Sequence, residues 1–185
     1  MNKARLFVIS GPSGVGKGTI CKEIIENIPN VQISVSATTR LPRPGDVEGE
    51  TYYFKSPEQF LKMVTNSEFL EWATYNGNRY GTPIWGVTKM LEQGISVILE
   101  IDTQGALQVK EKMPDAILIF IAPPTFEELS ARLRGRATES DEEIERRVAA
   151  AEGEMALRSE YDYVVVNDDL STAVNEVEGI IKSQI

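Results

Sequence analysis

With 185 residues the chain is long enough to bury a real hydrophobic centre, as one compact domain or as one core carrying a sub-domain. Its composition, 42% apolar and 25% charged, is that of an ordinary soluble globular protein, and a net charge of −9 argues against the broad basic surface that duplex DNA or an anionic membrane would need. Histidine is absent, which excludes a Ser-His-Asp hydrolase, a Cys-His protease and a histidine-ligated zinc site.

Any chemistry must therefore use carboxylates, Lys, Arg, hydroxyls or an added metal ion. No run approaches the roughly 20 apolar residues of a membrane helix. The apolar stretch Leu6–Ile9 is too short for a signal-peptide core and reads as a buried strand. Cys21 is the only cysteine, so no internal disulfide forms, and a cytoplasmic setting is expected.

Taken in chain order, β-rich runs alternate with helical patterns. Leu6–Ile9 leads into a glycine loop, and a helix follows with Ile20, Cys21, Ile24, Ile25 and Ile28 on one stripe. Val31–Val35 alternates as a second strand. From Thr38 to Pro83 the texture changes: a Pro/Gly-rich turn region at Leu41–Gly45, the aromatic run Tyr52–Phe54, then Ser56-Pro57-Glu58-Gln59, spaced as a capping box with Pro at the first helical position. This segment reads as an inserted sub-domain.

The parallel-sheet rhythm returns at Val97–Ile101 and Ile117–Ile121, continuous apolar runs of the kind buried on two faces. Thr125 and Glu128 cap a helix carrying Leu129 and Leu133, and Arg134–Thr138 is a basic turn. Ser140 and Glu143 open a long helix whose inner face is Ile144, Val148, Ala151 and Met155. Tyr163–Val166 is the last strand, and a closing helix carries Val174, Val177 and Ile181. The alternation predicts an α/β fold with a mostly parallel sheet and helices on both faces.

Residues Gly11-Pro12-Ser13-Gly14-Val15-Gly16-Lys17 match the phosphate-loop pattern G-x-x-x-x-G-K, directly after a strand and opening a helix. Glycines let backbone N–H groups turn inward, the helix N-terminus adds partial positive charge, and Lys17 adds a full one. The pattern wants Ser or Thr straight after the lysine; here Gly18 intervenes and Thr19 follows. A P-loop enzyme also needs a carboxylate at a neighbouring strand end. Glu100 and Asp102 close the run Val97–Ile101 and, two apart, would face one side of a regular strand. Solvated strand-end caps are the plainer alternative.

Seven arginines fall in two short regions: Arg40 and Arg43, then Arg132, Arg134, Arg136, Arg146 and Arg147. Arginine's planar fork suits phosphate. Neutralisation of Glu142, Glu143 and Glu145 accounts equally well for Arg134 and Arg146, but few acids lie beside Arg40 and Arg43. Trp72, Trp85 and Cys21 read as packing.

The stretches GPSGVGKGT, SVSATTRLPRPGDVEGETYYF, EFLEWATYNGNRYGT, ILEIDTQGA, FIAPP, RLRGRATES and VVVNDDL, in this order, closely resemble the guanylate kinase family over nearly the whole chain. The resemblance implies a nucleoside monophosphate kinase that uses ATP and Mg²⁺ to phosphorylate GMP, with no nucleic-acid or membrane partner. It implies a P-loop core (1–37, 84–125, 156–185), an inserted GMP-binding domain (38–83) and a lid (126–155). Ser36 and Glu71 would read guanine, with Asp102 near its amino group. Arg40, Arg43, Tyr52 and Tyr80 would hold the GMP phosphate, beside Thr82, where the family often has serine, and Glu100, where it often has aspartate. Arg132, Arg136 and Arg147 match the lid arginines. ATP would lie on Gly11–Thr19 with Asn167 at the adenine, and Thr19 and Glu100 are the candidate metal contacts.

The implied guanine contacts are chemically sound. A carboxylate accepts from guanine N1–H and the amino group, a hydroxyl donates to O6, and adenine presents the opposite polarity; such a site can reject the wrong base by a factor on the order of 10⁴. Two other readings compete: the same fold with another nucleoside monophosphate or a phosphorylated sugar as acceptor, and a silent binding module. The Ser36/Glu71 pair opposes the first and the intact loop with Lys17 opposes the second.

Overall fold

The structure, a computed structural model, describes residues 3–75, 77–134 and 141–185. In chain order its elements are β1 (Leu6–Ser10), α1 (Lys17–Asn27), β2 (Val31–Ile33), β3 (Ala37–Thr38), β4 (Tyr53–Phe54), α2 (Pro57–Thr65), β5 (Phe69–Tyr75) and β6 (Asn78–Pro83). There follow α3 (Ile84–Glu92), β7 (Ser96–Glu100), α4 (Thr103–Lys112), β8 (Ile117–Ala122), α5 (Phe126–Arg134), α6 (Asp141–Ala156), β9 (Tyr163–Val166) and α7 (Leu170–Gln184).

A five-stranded sheet in the order β2-β7-β1-β8-β9, parallel throughout, carries the main core. Successive residues of a strand point to opposite faces. Phe7 and Ile9 thus join Ile20, Ile24, Val174, Val177 and Ile181 beneath α1 and α7. Leu6 and Val8 join Val87, Ala106 and Val109 beneath α3 and α4. Burial on both faces is why β1, β7 and β8 read as unbroken apolar runs.

A second sheet, β4-β3-β6-β5, is built from strands between Ala37 and Pro83. Its small core is Ala37, Phe60 and Phe69, with Phe60 stacked on Phe69 at 4.5 Å and edge-on to Trp72 at 6.3 Å. Ser56 caps α2 as its spacing predicts, accepting from Gln59 N–H at 3.1 Å while Gln59 Oε1 accepts from Ser56 N–H at 2.9 Å.

Several sequence expectations shift. Ile25 is exposed, because the buried stripe of α1 runs through Ile20, Ile24 and Ile28 and position 25 turns away from it. β2 ends at Ile33; after Ser34 N–H donates to Ile98 O the chain leaves for the second sheet. Thr125 accepts from Glu128 N–H at 3.1 Å, but the Glu128 carboxylate pairs with Arg132 at 2.6 Å instead of completing a box. Ser140 lies outside the described residues, while Ile144 and Ala151 of α6 are buried as expected. Periodicity alone had not singled out α3, α4 or the β5–β6 hairpin. Among the described residues no helix is long and apolar enough to cross a membrane.

Phe60 is fully buried and central to the smaller core, so Phe60→Ala should destabilise the protein by about 3–5 kcal/mol. Chemical denaturation of the variant checks this; a loss well under 1 kcal/mol would mean that the small core does not contribute to the measured transition.

Candidate active site

The loop between β1 and α1 emerges at the carboxyl edge of the parallel sheet, where open α/β sheets bind ligands. Its backbone turns through left-handed conformations at Gly14 and Gly16, and α1 begins at Lys17. The loop lines a cavity of about 680 Å³ with Gly11, Ser13, Gly14, Gly16, Lys17, Gly18 and Thr19 on one side and Glu100, Asp102, Tyr75 and Glu154 on the other. Lys17 Nζ donates to Gly11 O at 2.6 Å and to Pro12 O at 3.0 Å. Burial pulls its ammonium below the ordinary lysine range, opposed by the charges of Glu154 and Glu100. Pro12 and Val15 are buried in the loop's base, and Val15 O accepts from Asn167 Nδ2 at 2.8 Å. Asn167 thus braces the loop from the end of β9.

A second cavity of about 380 Å³ lies against the first. It is lined by Ser36, Tyr52, Glu71, Tyr75, Tyr80, Glu100 and Asp102, among others. Tyr75, Glu100, Ile101 and Asp102 line both cavities, so the two spaces meet along the end of β7.

Glu71 sits in this second cavity because β5 pairs antiparallel with β6, with an irregularity between Phe69 and Glu71 that sets Glu71 opposite Thr82. Thr82 Oγ1 donates to Glu71 Oε1 at 2.6 Å. Burial pushes the Glu71 carboxyl up to about 7, with the Thr82 hydrogen bond pulling the other way and Asp102 adding to the rise. Asp102 is the N-cap of α4, accepting from Gly105 N–H at 2.7 Å. It is thus both a helix N-cap and an acid at the cavity wall. α4 in turn is tied to β5 by Lys112 Nζ, which donates to Phe69 O at 2.8 Å. Gly105 keeps the space beside Glu71 open, since a Cβ there would lie 3.0 Å from Glu71 Oε2.

Several of the arginines already have side-chain partners. Arg40 pairs with Asp46 at 2.9 Å and lies over the Tyr52 ring at 5.2 Å. Tyr52 meets Tyr80 edge-on at 6.0 Å. Arg43 is exposed, and its N–H donates to Asp46 Oδ2 at 2.7 Å. One acid, Asp46, is folded back by the turn so that its carboxylate meets the Arg40 guanidinium and the Arg43 backbone N–H. Arg132 pairs with Glu128 and reaches Asn167 O at 3.5 Å, and Arg147 donates to Ser13 Oγ at 2.6 Å. Arg134 pairs with Glu145 at 2.5 Å, as the solvated-face reading has it. Arg136 lies outside the described residues.

Two lining residues, Tyr75 and Glu154, and Gly105 beside Glu71 were not evident in the sequence. Tyr75 ends β5 as one more strand aromatic, and Glu154 is one more acid on an acidic helix. Burial holds Glu154 above the ordinary carboxylate range, while Lys17 and the Ser13 N–H draw it down. Gly105 carried a readable signal, an Asp N-cap three residues before it.

Comparison with known proteins places these features in context. The family model described as guanylate kinase matches residues 3–184. A guanylate kinase of Desulfitobacterium hafniense is 49% identical over 99% of this chain and 92% of its own length. One from Caldanaerobacter subterraneus is 53% identical over 95% of this chain and 85% of its own. Among solved structures, guanylate kinase from Anaplasma phagocytophilum superposes with a TM-score of 0.77 at 34% identity, covering 100% of this chain and 88% of that one. A shikimate kinase from Bacteroides thetaiotaomicron shares the fold at a TM-score of 0.52 and 16% identity, over 96% of this chain and 98% of its own.

Glu71 has a consequence for stability. Its carboxyl ionises near 4.5 when unfolded and near 7 when folded, so its ionisation opposes folding. That opposition is absent below pH 4.5, grows as pH rises to about 7 and is constant above. Glu71→Gln should therefore be more stable than the parent at pH 8, by about 3 kcal/mol, and equal to it near pH 4. Thermal unfolding at the two pH values checks this, and an equal gap at both would contradict it.

Proposed function

The chain belongs to the guanylate kinase family, and we propose that its two adjoining cavities hold ATP and GMP, for transfer of the terminal phosphoryl group to give ADP and GDP. The observation that carries this reading is their junction along Glu100–Asp102, which would bring a donor phosphate on the P-loop beside an acceptor phosphate. Phosphoryl transfer needs positioning and charge neutralisation more than a strong base.

In this reading the N–H groups of Gly11–Thr19 and the Lys17 ammonium cradle the donor phosphates, with Asn167 toward the adenine. Lys17 exchanges its loop carbonyls for phosphate oxygens. Glu71 accepts from guanine N1–H and the amino group, Thr82 fixes its rotamer, Ser36 donates to O6, and Asp102 stands near the amino group. Arg40, Arg43, Tyr52 and Tyr80 take the GMP phosphate, Arg40 releasing Asp46 to do so. Arg132, Arg136 and Arg147 approach from the lid. The division into core (1–37, 84–125, 156–185), GMP-binding insert (38–83) and lid (126–155) belongs to the same proposal, with closure excluding water.

Mg²⁺ fits the oxygen donors at the junction. Among the described residues no three acids, cysteines or histidines cluster as a self-sufficient metal site, in keeping with an ion held largely by phosphate and water, with one or two protein oxygens from Thr19 and Glu100. When bound, it would neutralise charge on the phosphates.

Lys17→Ala should lower turnover on the order of 10²-fold or more with an unchanged fold, read by an ADP-release assay beside circular dichroism. Near-normal activity would remove the loop from the mechanism. Guanine binds the ionised form of Glu71, and below about 7 that form is scarce. GMP affinity should therefore rise roughly tenfold from pH 6 to pH 8 and then level off. Glu71→Gln should weaken GMP by roughly 10- to 100-fold and flatten this dependence. Calorimetric titration of both proteins with GMP checks the pair of outcomes, and a parent profile no steeper than the variant's would sink the guanine assignment.

A further inference from the structure

Two of the positions at which this chain departs from the patterns it matches lie together. Gly18 stands where a P-loop usually carries a hydroxyl, and Glu100 where the family often has the shorter aspartate. The two positions are 82 residues apart in the sequence (100 − 18) and adjacent in the fold. A Cβ added to Gly18 would stand 3.3 Å from Glu100 Oε1, 3.7 Å from Oε2 and 3.9 Å from Cδ, and these are its three nearest neighbours. A serine or threonine hydroxyl, one bond further out, would have to share that space with the carboxylate.

We propose that Gly18 and Glu100 form one unit, in which the extra methylene of Glu100 carries its carboxylate into the space left by the missing side chain. There an oxygen of Glu100 takes over the task of the absent hydroxyl, holding the divalent cation that accompanies the donor phosphates. The proposal rests on the reading of Gly11–Thr19 as the donor-phosphate loop.

Thr19, the other candidate oxygen, does not occupy the position that Gly18 leaves vacant. Successive residues of a helix project about 100° apart, so a side chain at position 19 leaves α1 in a different direction from one at 18. Glu100 is better placed: it ends β7, lines both cavities, and its charge is felt at Lys17. It is also solvent-exposed, so it reaches Gly18 without the penalty of a buried, unpaired charge.

The test is a double-mutant cycle with Gly18→Ser and Glu100→Asp, read as the Mg²⁺ dependence of ADP affinity by calorimetry and as Mn²⁺·ADP binding by electron paramagnetic resonance. Glu100→Asp alone should raise the Mg²⁺ concentration needed for tight ADP binding about tenfold, because the shorter acid falls short of the site. Gly18→Ser alone should also weaken the metal response by crowding the carboxylate. The double variant should return to within about threefold of the parent, because hydroxyl and shorter acid now share the space. ADP affinity in excess chelator should be the same in all four proteins, which separates a metal role from a distorted loop. Additive single effects, or an unchanged metal response in Glu100→Asp, would overturn the coupling. Absence of any Mg²⁺-dependent ADP binding in the parent would instead overturn the P-loop reading beneath it.

Discussion

The pairing of β1 with β7 is the constraint on which the rest depends. Register aligns Ile9 with Glu100, so the loop that leaves β1 and the acids that end β7 emerge side by side at one edge of the sheet. On its other side β1 is held by β8, from Phe7 opposite Ile117 to Ser10 opposite Phe120. A strand paired on both edges and buried on both faces has almost no freedom to slip, because a one-residue shift would exchange its two core faces. Lys17, Gly18, Glu100 and Asp102 inherit their positions from that lock.

The electrostatics of the site follow from competition more than from complementarity. An acidic chain must hold cations ready for phosphate without letting them drift, and it does so with internal partners. Arg40 rests on Asp46, Arg132 on Glu128, Arg147 on Ser13 and Lys17 on loop carbonyls. Of the ion pairs among these only Arg132–Glu128 is well solvated and so contributes little to stability; Arg40, Asp46 and Lys17 are more deeply placed. Glu71 is the contrasting case. It is buried beside a hydroxyl and near another acid, an arrangement in which its ionisation opposes folding.

Local chemistry was legible in the sequence wherever the parts of a device are contiguous. The P-loop needs a strand, glycines, a lysine and a helix start in succession, and all lie within Leu6–Thr19. The Ser56 capping box and the buried runs of β7 and β8 are of the same kind. The β5–β6 hairpin was less visible, because its strands carry polar residues such as Glu71 and Arg79 that break simple alternation. Arg40 and Arg43 looked unaccompanied because Asp46 is brought to them only by the turn between. Gly105 and Glu154 gained meaning only from what packs against them.

Through its family resemblance the sequence by itself determined the kind of reaction, and through its patterns the α/β class, the phosphate loop and the buried strands. Those features depend on residue type and short-range spacing, which a linear string records directly. The tertiary structure alone decided which strands are neighbours, that two cavities meet along Glu100–Asp102, that Thr82 orients Glu71, and that Gly18 faces Glu100. Strand order and register arise from packing the whole core at once, and no local pattern encodes a contact between residues so far apart in the chain.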